Sequence, residues 1–292
     1  MQRYKFSDGR VVNRLGYGAM RLTGQPGNFG PYAEWDQGLA VLRRAADLGV
    51  QFFDSARSYG PQTADQIVGE ALEDRDVFLA TKGGIDKLSP TKMKVDGSRD
   101  TLLRQVDDAL VNLRRDQVDL FQLHRVDPNV PIETSVAALA EAQADGRIAH
   151  IGLSNVTREE LDRALDVASI ASVQNRFNMS EDGQSDLVDY TASKGIAFIP
   201  YGPLGAHPMQ QGAKLPARRA LDWLLDRSPN IIAIPGTTSI VHLEENIGGG
   251  VSPAHPIVDG DCMSPVSPNN ISTAEMAQAT VRTVFQKVQR GR

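Results

Sequence analysis

The feature of this chain that most constrains its fold is a regular alternation of short β-type runs with helical patterns. The β-type runs lie at about 15–20, 50–54, 77–82, 117–123, 148–153, 171–175, 196–200 and 230–234. Helical patterns follow them at about 35–48, 63–73, 98–113, 132–145, 157–168, 184–194, 215–227 and 239–248. Strands that alternate with helices pair in parallel, and eight such units suggest that the sheet closes. The sequence therefore predicts an α/β fold, a (β/α)8 TIM barrel.

Local signals support the helix boundaries. Thr157 and Glu160 form a capping-box pattern at the start of one helix. Gly146 and Gly195 fall where a helix would stop and the next strand begin. An open doubly wound sheet is the structural alternative. It usually carries a G-x-G-x-x-G turn after its first strand, and the run 16–21 lacks the third glycine.

Both ends of the chain depart from the alternation. Residues 4–12 predict an N-terminal β-hairpin, because Asp8-Gly9 separates two short apolar runs. Residues 248–271 are rich in Gly, Pro, Ser and Asn and show no periodicity. A Ser-x-x-Glu pattern at 272–275 then opens a final helix. We expect a barrel domain over residues 1–247 and, over residues 248–292, an irregular connector with a C-terminal helix that packs on the barrel.

Composition narrows the classes of function. The formal net charge is −5, and the lysines and arginines are scattered, which argues against nucleic acid and anionic membranes as partners. Cys262 is the only cysteine, so an internal disulfide is excluded. No run approaches the roughly 18 apolar residues of a spanning helix, and the first residues lack the apolar stretch of a signal peptide. We expect a cytoplasmic protein, a monomer or small homo-oligomer, that acts on a small molecule.

Residues with chemical potential stand at the ends of three predicted strands. Asp54, Lys82 and His124 each close a β-type run, and Tyr59 follows Asp54 by five positions. Parallel strands in a barrel deliver their C-terminal ends to one rim, where the chemistry of such barrels lies. We therefore expect these four side chains to meet.

A phenol, an ammonium, a carboxylate and an imidazole can together protonate a carbonyl oxygen without a metal. Free tyrosine has a pKa near 10, and a neighbouring ammonium such as Lys82 would lower it. Asp54 would hold that ammonium in place, and His124 could donate a hydrogen bond to the carbonyl oxygen. Each residue also has an ordinary structural explanation, such as a turn cap or a half-buried loop aromatic. A lysine at a strand end also occurs in aldolases, so a lyase on the same barrel stays open.

Several segments, in this order and at these spacings, resemble the aldo-keto reductase superfamily from about residue 2 to residue 247. They are Phe53-Asp54-Ser55-Ala56, Ser58-Tyr59-Gly60, Thr81-Lys82, Leu123-His124, Ile151-Gly152-Leu153-Ser154-Asn155, Val173-Gln174-Asn175, Tyr201-Gly202-Pro203-Leu204-Gly205, Ile234-Pro235-Gly236-Thr237-Thr238 and Glu245-Asn246. Near the N-terminus, residues 15–23 and 28–31 are similar to a bacterial branch that includes pyridoxal reductases.

The resemblance implies an NADPH-dependent reductase of aldehydes or ketones in which Tyr59 is the acid. Lys82 and Asp54 would tune Tyr59, and His124 would orient the carbonyl. The residues implied to bind the cofactor are Met20 and Gly202; Ser154, Asn155 and Gln174 at the nicotinamide carboxamide; Tyr201 against the ring; Leu204 and Gly205 along the pyrophosphate; Gly236, Thr237, Thr238 and His242 at the adenosine phosphate; and Glu245 and Asn246 near adenine. A cofactor-sensing regulatory subunit without turnover is the alternative from another class.

The sequence departs from the family pattern at the phosphate pocket. Many relatives carry lysine where Gly236 stands and arginine where His242 stands. Hydroxyls of Thr237 and Thr238, backbone amides and His242 must take over, and such groups bind phosphate less strongly than arginine does. We expect NADPH as cofactor, with NADH as the alternative. The substrate stays open among pyridoxal or another aromatic aldehyde, a keto-sugar and a natural-product ketone.

Overall fold

The computed structural model describes residues 2–205, 217–248 and 257–259. All of these residues belong to one compact unit, 1–262. The helix predicted after residue 271 lies outside the described residues. Within the predicted connector, residues 257–259 form a short strand, so that part of the interpretation as irregular chain is wrong. None of the described helices is both long and apolar enough to cross a membrane.

The elements follow the predicted alternation. The strands are β1 (Arg3–Lys5), β2 (Val11–Asn13), β3 (Tyr17–Gly18), β4 (Phe52–Asp54), β5 (Phe78–Gly83), β6 (Ile85–Lys87), β7 (Met93–Val95), β8 (Val118–Leu123), β9 (Ile148–Ser154), β10 (Ser172–Gln174), β11 (Ala197–Phe198) and β12 (Ile257–Asp259). The helices are α1 (Trp35–Asp47), α2 (Thr63–Leu72), α3 (Arg99–Leu113), α4 (Ile132–Ala144), α5 (Arg158–Leu165), α6 (Ser185–Ser193), α7 (Ala217–Arg227) and α8 (Ile240–Gly248). A single 3₁₀ turn, Ala19–Arg21, follows β3.

The main sheet has seven strands in the order β11-β10-β9-β8-β5-β4-β3, and every neighbouring pair is parallel. Chain order therefore matches spatial order, as expected of successive βα units. The predicted α/β architecture with a parallel sheet is confirmed. All the carboxyl ends of these strands lie at the same edge of the sheet.

The eighth predicted run, residues 230–234, lies against both edges of this sheet. On one side the Phe198 amide donates to the Asn230 carbonyl, and the Ile232 amide donates back to Phe198, both at 2.9 Å. On the other side the Ala233 amide donates to the Arg14 carbonyl at 2.9 Å. The Gly16 amide donates to the Ala233 carbonyl at 2.8 Å. The run is bridged to its neighbours by isolated pairs rather than by a continuous strand ladder.

The predicted N-terminal hairpin is present as β1 and β2, with Tyr4 opposite Val12. It closes one face of the main sheet. Tyr4 and Phe6 cluster there with Phe52 and Phe78, and the rings of Phe6 and Phe78 stack with 4.4 Å between their centroids. Because side chains two residues apart share a face of a strand, this apolar face continues toward the carboxyl ends of the same strands.

Near those carboxyl ends the same face becomes polar. Asp54 stands two positions beyond Phe52, Gln122 two positions beyond Leu120, and Lys82 lies in the intervening strand β5. On the opposite face, the alternate strand residues pack against the helices: Phe53, Leu79, Phe121, Leu123, Ile151 and Val173. This face of the sheet is thus apolar at the hairpin end and polar at the carboxyl ends of the strands.

Two pairings were not predicted from the sequence. Strands β6 and β7 form an antiparallel hairpin directly after β5. Strand β12 pairs in parallel with β1 and extends the hairpin to three strands. All three strands have three residues each, and such short runs carry too few positions to reveal a two-residue period.

The buried side chain of Arg14 holds the run 230–234 in place. The Arg14 guanidinium is almost fully buried and donates to the carbonyls of Ile231 at 2.8 Å, Leu225 at 2.7 Å and Ser228. It also donates to the side chain of Gln2. Burial lowers the pKa of Arg14 to about 10, so the group stays charged at neutral pH. One side chain therefore ties the start of β3 to the turn after α7.

We predict that Arg14→Leu lowers the free energy of unfolding by at least about 2 kcal/mol, because several buried carbonyls lose their donor. Urea denaturation followed by circular dichroism measures this change. Arg163→Leu, which removes an exposed arginine paired with Glu133, is the matched control and should leave the midpoint nearly unchanged. Equal losses for the two variants would contradict the role of Arg14.

Candidate active site

The four residues expected at the rim lie together at the carboxyl edge of the sheet. Asp54 is the last residue of β4, Lys82 lies near the end of β5, and His124 directly follows β8. Tyr59 lies in the loop between β4 and α2. Its ring stands 5.9 Å from the His124 ring, nearly perpendicular to it.

Lys82 and Asp54 form a fully buried ion pair at the centre of this group. The Lys82 ammonium donates to Asp54 Oδ2 at 2.7 Å and to the Ser55 carbonyl at 2.7 Å. The other carboxylate oxygen, Oδ1, accepts from Gln122 at 3.2 Å and from Gln174 at 2.8 Å. Donors from two further strands, β8 and β10, therefore fix the Asp54 carboxylate, which in turn fixes the ammonium.

The charge state of Lys82 follows from this pairing. Burial by itself disfavours the ammonium. The attraction of Asp54, with smaller contributions from Tyr59 and Asp65, outweighs burial and raises the pKa of Lys82 above its ordinary value. The site thus holds a permanent positive charge at neutral pH.

Tyr59 lies next to that charge, with the Lys82 ammonium 5.2 Å from the centre of its ring. The sequence predicts that Lys82 makes the phenol more acidic, and its charge does act in that direction, but burial acts more strongly in the opposite one. Burial raises the pKa of Tyr59 above its ordinary value, and the charge of Lys82 only opposes that rise. The phenol is therefore protonated at neutral pH, as a proton donor must be. The expectation left out the effect of burial on the phenolate.

His124 is neutral in this environment. Burial is the largest cause, and repulsion from Lys82 and Arg125 adds to it, so the pKa of His124 lies well below its ordinary value. Its Nδ1 atom lies 3.3 Å from the Ser58 hydroxyl. When that hydroxyl donates to Nδ1, the imidazole proton resides on Nε2 and can be donated to another acceptor.

The residues expected at the nicotinamide carboxamide are linked to one another. The Tyr201 hydroxyl donates to Asn155 Oδ1 at 2.8 Å, and Asn155 Nδ2 donates to Ser154 at 3.0 Å and to the His124 carbonyl at 3.1 Å. Asn155 adopts a left-handed backbone conformation with φ of 57°. The Gln174 amide nitrogen donates to Asp54, so Gln174 also supports the ion pair.

A cavity of about 200 Å³ runs from the rim residues toward the start of α8. Of the residues singled out in the sequence, the lining contains Met20, Asp54, Tyr59, Gln174, Tyr201, Gly202, Leu204, Gly205 and Gly236. Lys82 lies buried behind it. Thr237 and Thr238 follow Gly236 in the chain, and His242, Glu245 and Asn246 lie on α8. The cavity therefore joins the proposed proton donor to the expected phosphate loop.

Sequence reasoning missed Arg21, which lines the same cavity. Its side chain is exposed and takes part in none of the ion pairs found among the described residues. The available signal was an arginine three positions after the Gly-x-Gly run at 16–18. A cation at this place can attract an anionic group in the cavity.

The loop expected to bind phosphate is tied to neighbouring segments, and its backbone explains why glycine stands at position 236. A Cβ atom on Gly236 would lie 2.5 Å from the Gly18 carbonyl oxygen. The buried Tyr17 hydroxyl donates to the Thr237 carbonyl at 2.5 Å, and the Gln37 amide donates to the Thr238 carbonyl at 3.2 Å. A side chain at position 236 would have to displace this backbone, which leaves the expected phosphate contacts to the residues after it.

We predict that Gly236→Ala lowers the free energy of unfolding by roughly 1–3 kcal/mol, because the added methyl group meets backbone that cannot move away easily. Gly183→Ala is the control, since a Cβ atom there meets nothing within 4 Å. Chemical denaturation of the two variants beside the parent protein measures the difference. If Gly236→Ala were as stable as the control, the close approach to β3 would be wrong.

Comparisons with known proteins show which family this chain is similar to. Residues 14–216 match the profile of the aldo/keto reductase family. Pyridoxine 4-dehydrogenase of Escherichia coli is 40% identical over 256 residues, which cover 82% of this chain and 89% of that protein. An oxidoreductase of Schizosaccharomyces pombe is 37% identical over 249 residues, 81% of each chain.

Solved structures show the same fold at lower identity. The glycerol dehydrogenase of Gluconobacter oxydans superposes with a TM-score of 0.74 at 21% identity, over 98% of this chain and 95% of that one. An aldo-keto reductase of Klebsiella pneumoniae, solved in complex with NADPH, gives a TM-score of 0.71 at 23% identity, over 95% of this chain and 93% of that one.

Proposed function

Since the chain belongs to the aldo/keto reductase family, we propose that it is an NADPH-dependent oxidoreductase that reduces an aldehyde or ketone to an alcohol. The observation that carries the proposal is the buried Lys82–Asp54 ion pair behind Tyr59, at one end of the cavity. An ammonium held permanently charged beside a protonated phenol is suited to general acid catalysis.

The fold that supports this function is proposed to be a closed (β/α)8 barrel over residues 1–247. The run at 230–234 supports closure, because it is hydrogen-bonded to β11 on one side and to the segment leading into β3 on the other. The solved relatives superpose over nearly the whole chain. We further propose that the protein acts in the cytoplasm, as a monomer or small homo-oligomer.

In the proposed mechanism, Tyr59 donates its hydroxyl proton to the carbonyl oxygen of the substrate. The Lys82 ammonium stabilises the phenolate that is left, and Asp54 keeps the ammonium in position. The neutral His124 donates a hydrogen bond to the same carbonyl oxygen and so orients it. When bound, the reduced nicotinamide supplies the hydride to the carbonyl carbon. General acid catalysis of this kind contributes on the order of 10²–10⁴ in rate.

A nicotinamide dinucleotide is proposed to bind along the cavity and the segments beside it. Ser154 and Asn155 would hold the carboxamide, assisted by the remaining polar groups of Gln174, and Tyr201 would stack on the ring. Met20, Gly202, Leu204 and Gly205 would follow the pyrophosphate, where the charge of Arg21 helps. Gly236, Thr237, Thr238 and His242 would surround the adenosine phosphate, and Glu245 and Asn246 the adenine.

NADPH is proposed as the preferred donor, with NADH as the alternative. Amides and hydroxyls at the start of a helix bind phosphate, and the loop before α8 supplies them through Thr237 and Thr238. The relative from Klebsiella pneumoniae that binds NADPH has the same fold. Since glycine and not a cation stands at position 236, the preference over NADH rests on these groups and on His242.

The proposed substrate is pyridoxal or another aromatic aldehyde. This choice rests on the 40% identity to a pyridoxine 4-dehydrogenase, whose name states oxidation of the matching alcohol. A keto-sugar or a natural-product ketone is the second class. A panel of these carbonyl compounds, followed by the loss of NADPH absorbance, ranks them directly.

Tyr59→Phe tests the proton donor. We predict that it lowers kcat by at least about 10²-fold while the Kd for NADPH changes little, because only the hydroxyl is removed. Stopped-flow and fluorescence titration measure the two quantities. Tyr190→Phe, on α6 away from the cavity, is the matched control and should behave as the parent protein. Weakened cofactor binding with ordinary turnover would contradict the assigned role.

The two rival functions give different results in the same assays. A regulatory subunit would bind NADPH tightly and turn over no carbonyl compound of the panel. A lyase would be trapped covalently on Lys82 by borohydride in the presence of a carbonyl substrate. The raised pKa of Lys82 disfavours that reaction, because a Schiff base forms from the neutral amine.

A further inference from the structure

The imidazole of His124 has one hydrogen-bond partner among the described residues, and the proposed mechanism gives that partner no role. The partner is Ser58, whose hydroxyl oxygen lies 3.3 Å from His124 Nδ1. Ser58 is 4% exposed. It directly precedes Tyr59 in the loop after β4. A single short loop therefore supplies both the proposed proton donor and the group that contacts the imidazole.

Backbone hydrogen bonds hold the loop that carries Ser58. On one side of Ser58, the Arg57 amide donates to the Lys82 carbonyl at 3.1 Å. On the other side, the Tyr59 amide donates to the Ala56 carbonyl at 2.9 Å. The position of the Ser58 hydroxyl is therefore set by the same strand, β5, that carries the buried ammonium.

The backbone of His124 is held as well. Its amide donates to the Gly83 carbonyl at 2.8 Å, and its carbonyl accepts from Asn155 Nδ2 at 3.1 Å. The Ser58 hydroxyl and the imidazole thus face each other from two fixed segments. Their separation of 3.3 Å is at the long end for a hydrogen bond. Hydrogen bonds in active sites often shorten when the substrate binds.

Only one direction of this hydrogen bond leaves no proton unpaired. Burial lowers the pKa of His124 well below its ordinary value, and a neutral imidazole carries its proton on one nitrogen and accepts on the other. If Nδ1 carried the proton, the buried Ser58 hydroxyl would have no acceptor for its own proton among the described residues, which is unfavourable. If the hydroxyl donates to Nδ1, both groups are paired and the imidazole proton lies on Nε2.

We propose that Ser58 is a positioning residue, which fixes His124 in the tautomer and ring orientation that present the Nε2 proton to the carbonyl oxygen of the substrate. The inference rests on the proposed function, since it assigns a role within the same carbonyl reduction. In the other tautomer, Nε2 would turn a lone pair toward that oxygen and repel it. Ser58 therefore acts on the reaction only through His124.

The tautomer is tested directly by NMR of protein labelled with nitrogen-15 at histidine, with His124→Gln used for assignment. Protonated and unprotonated ring nitrogens have well-separated chemical shifts. At pH 8, above the ordinary pKa of histidine, and without substrate, we expect the parent protein to carry the proton on Nε2. In Ser58→Ala, Nδ1 loses its donor, and both ring signals should move toward the averaged values of two exchanging tautomers.

The same variant should slow the reduction of pyridoxal and 4-nitrobenzaldehyde by NADPH. We expect kcat/KM to fall about three- to tenfold, which is the effect of one hydrogen bond. The Kd for NADPH should stay unchanged, because Ser58 acts through the imidazole and not on the cofactor. Ser58→Thr retains a hydroxyl and should keep the ring signals of the parent protein and most of its rate.

Ser228→Ala is the matched control. Ser228 is also buried, and its hydroxyl donates to Asn230 Oδ1 at 2.7 Å. This pair stands at the start of the run 230–234, whereas the cavity is lined by Ile234 at the end of that run. The control loses a buried hydroxyl and a hydrogen bond of the same kind. It should leave the His124 signals and kcat/KM as they are in the parent protein.

Each result decides whether the Ser58 hydroxyl acts through the imidazole. A parent protein with the proton on Nδ1, or ring signals that are the same in Ser58→Ala, would overturn the inference. A changed tautomer with unchanged kcat/KM would also overturn it, as would a Ser58→Ala protein that fails to fold. A parent protein that turns over neither aldehyde, yet shows the expected ring signals, would overturn the proposed function and not the effect of Ser58 on the tautomer.

Discussion

The buried ion pair between Lys82 and Asp54 is the interaction on which the rest of the site depends. Removing two opposite charges from water costs more than their attraction returns unless further hydrogen bonds complete the pair. Here the Ser55 carbonyl, Gln122 and Gln174 complete it. The ammonium is therefore fixed in position and in charge, and the properties of Tyr59 and His124 follow from it. The charge of Lys82 opposes the rise in the pKa of Tyr59 that burial causes. The same charge helps to keep the imidazole of His124 neutral.

The fold provides this pair by dividing one face of the sheet into two parts. At the hairpin end, Tyr4 and Phe6 pack against Phe52 and Phe78 and cover the apolar part of this face. At the carboxyl end, the same strands present charged and amide side chains to the cavity. Loops contribute further residues of the site. The main example is Tyr59, from the segment after β4. The phosphate loop at Gly236 is packed against β3, so the two ends of the cavity are held by the same framework.

Much of the fold could be predicted because the apolar residues of the alternating strands and helices recur at regular spacing. The predicted run 77–82 corresponds to β5 at 78–83, and the capping box at Thr157 is formed as expected. The four rim residues are found together because each closes a strand or follows one. What the sequence does not display is burial and close approach. The net direction of the Tyr59 pKa, the hydrogen bond from Gln174 to Asp54 and the constraint on Gly236 are of this kind.

The most direct measurement is the titration of the Tyr59 hydroxyl by NMR of protein labelled at the tyrosine ζ carbon, with Tyr59→Phe used for assignment. The titration is compared between the parent protein and Lys82→Met. If the fixed ammonium controls the phenol, the pKa of Tyr59 must rise further when the ammonium is removed. Titration of Tyr59 at the same pH in both proteins would contradict the claim that Lys82 governs its proton.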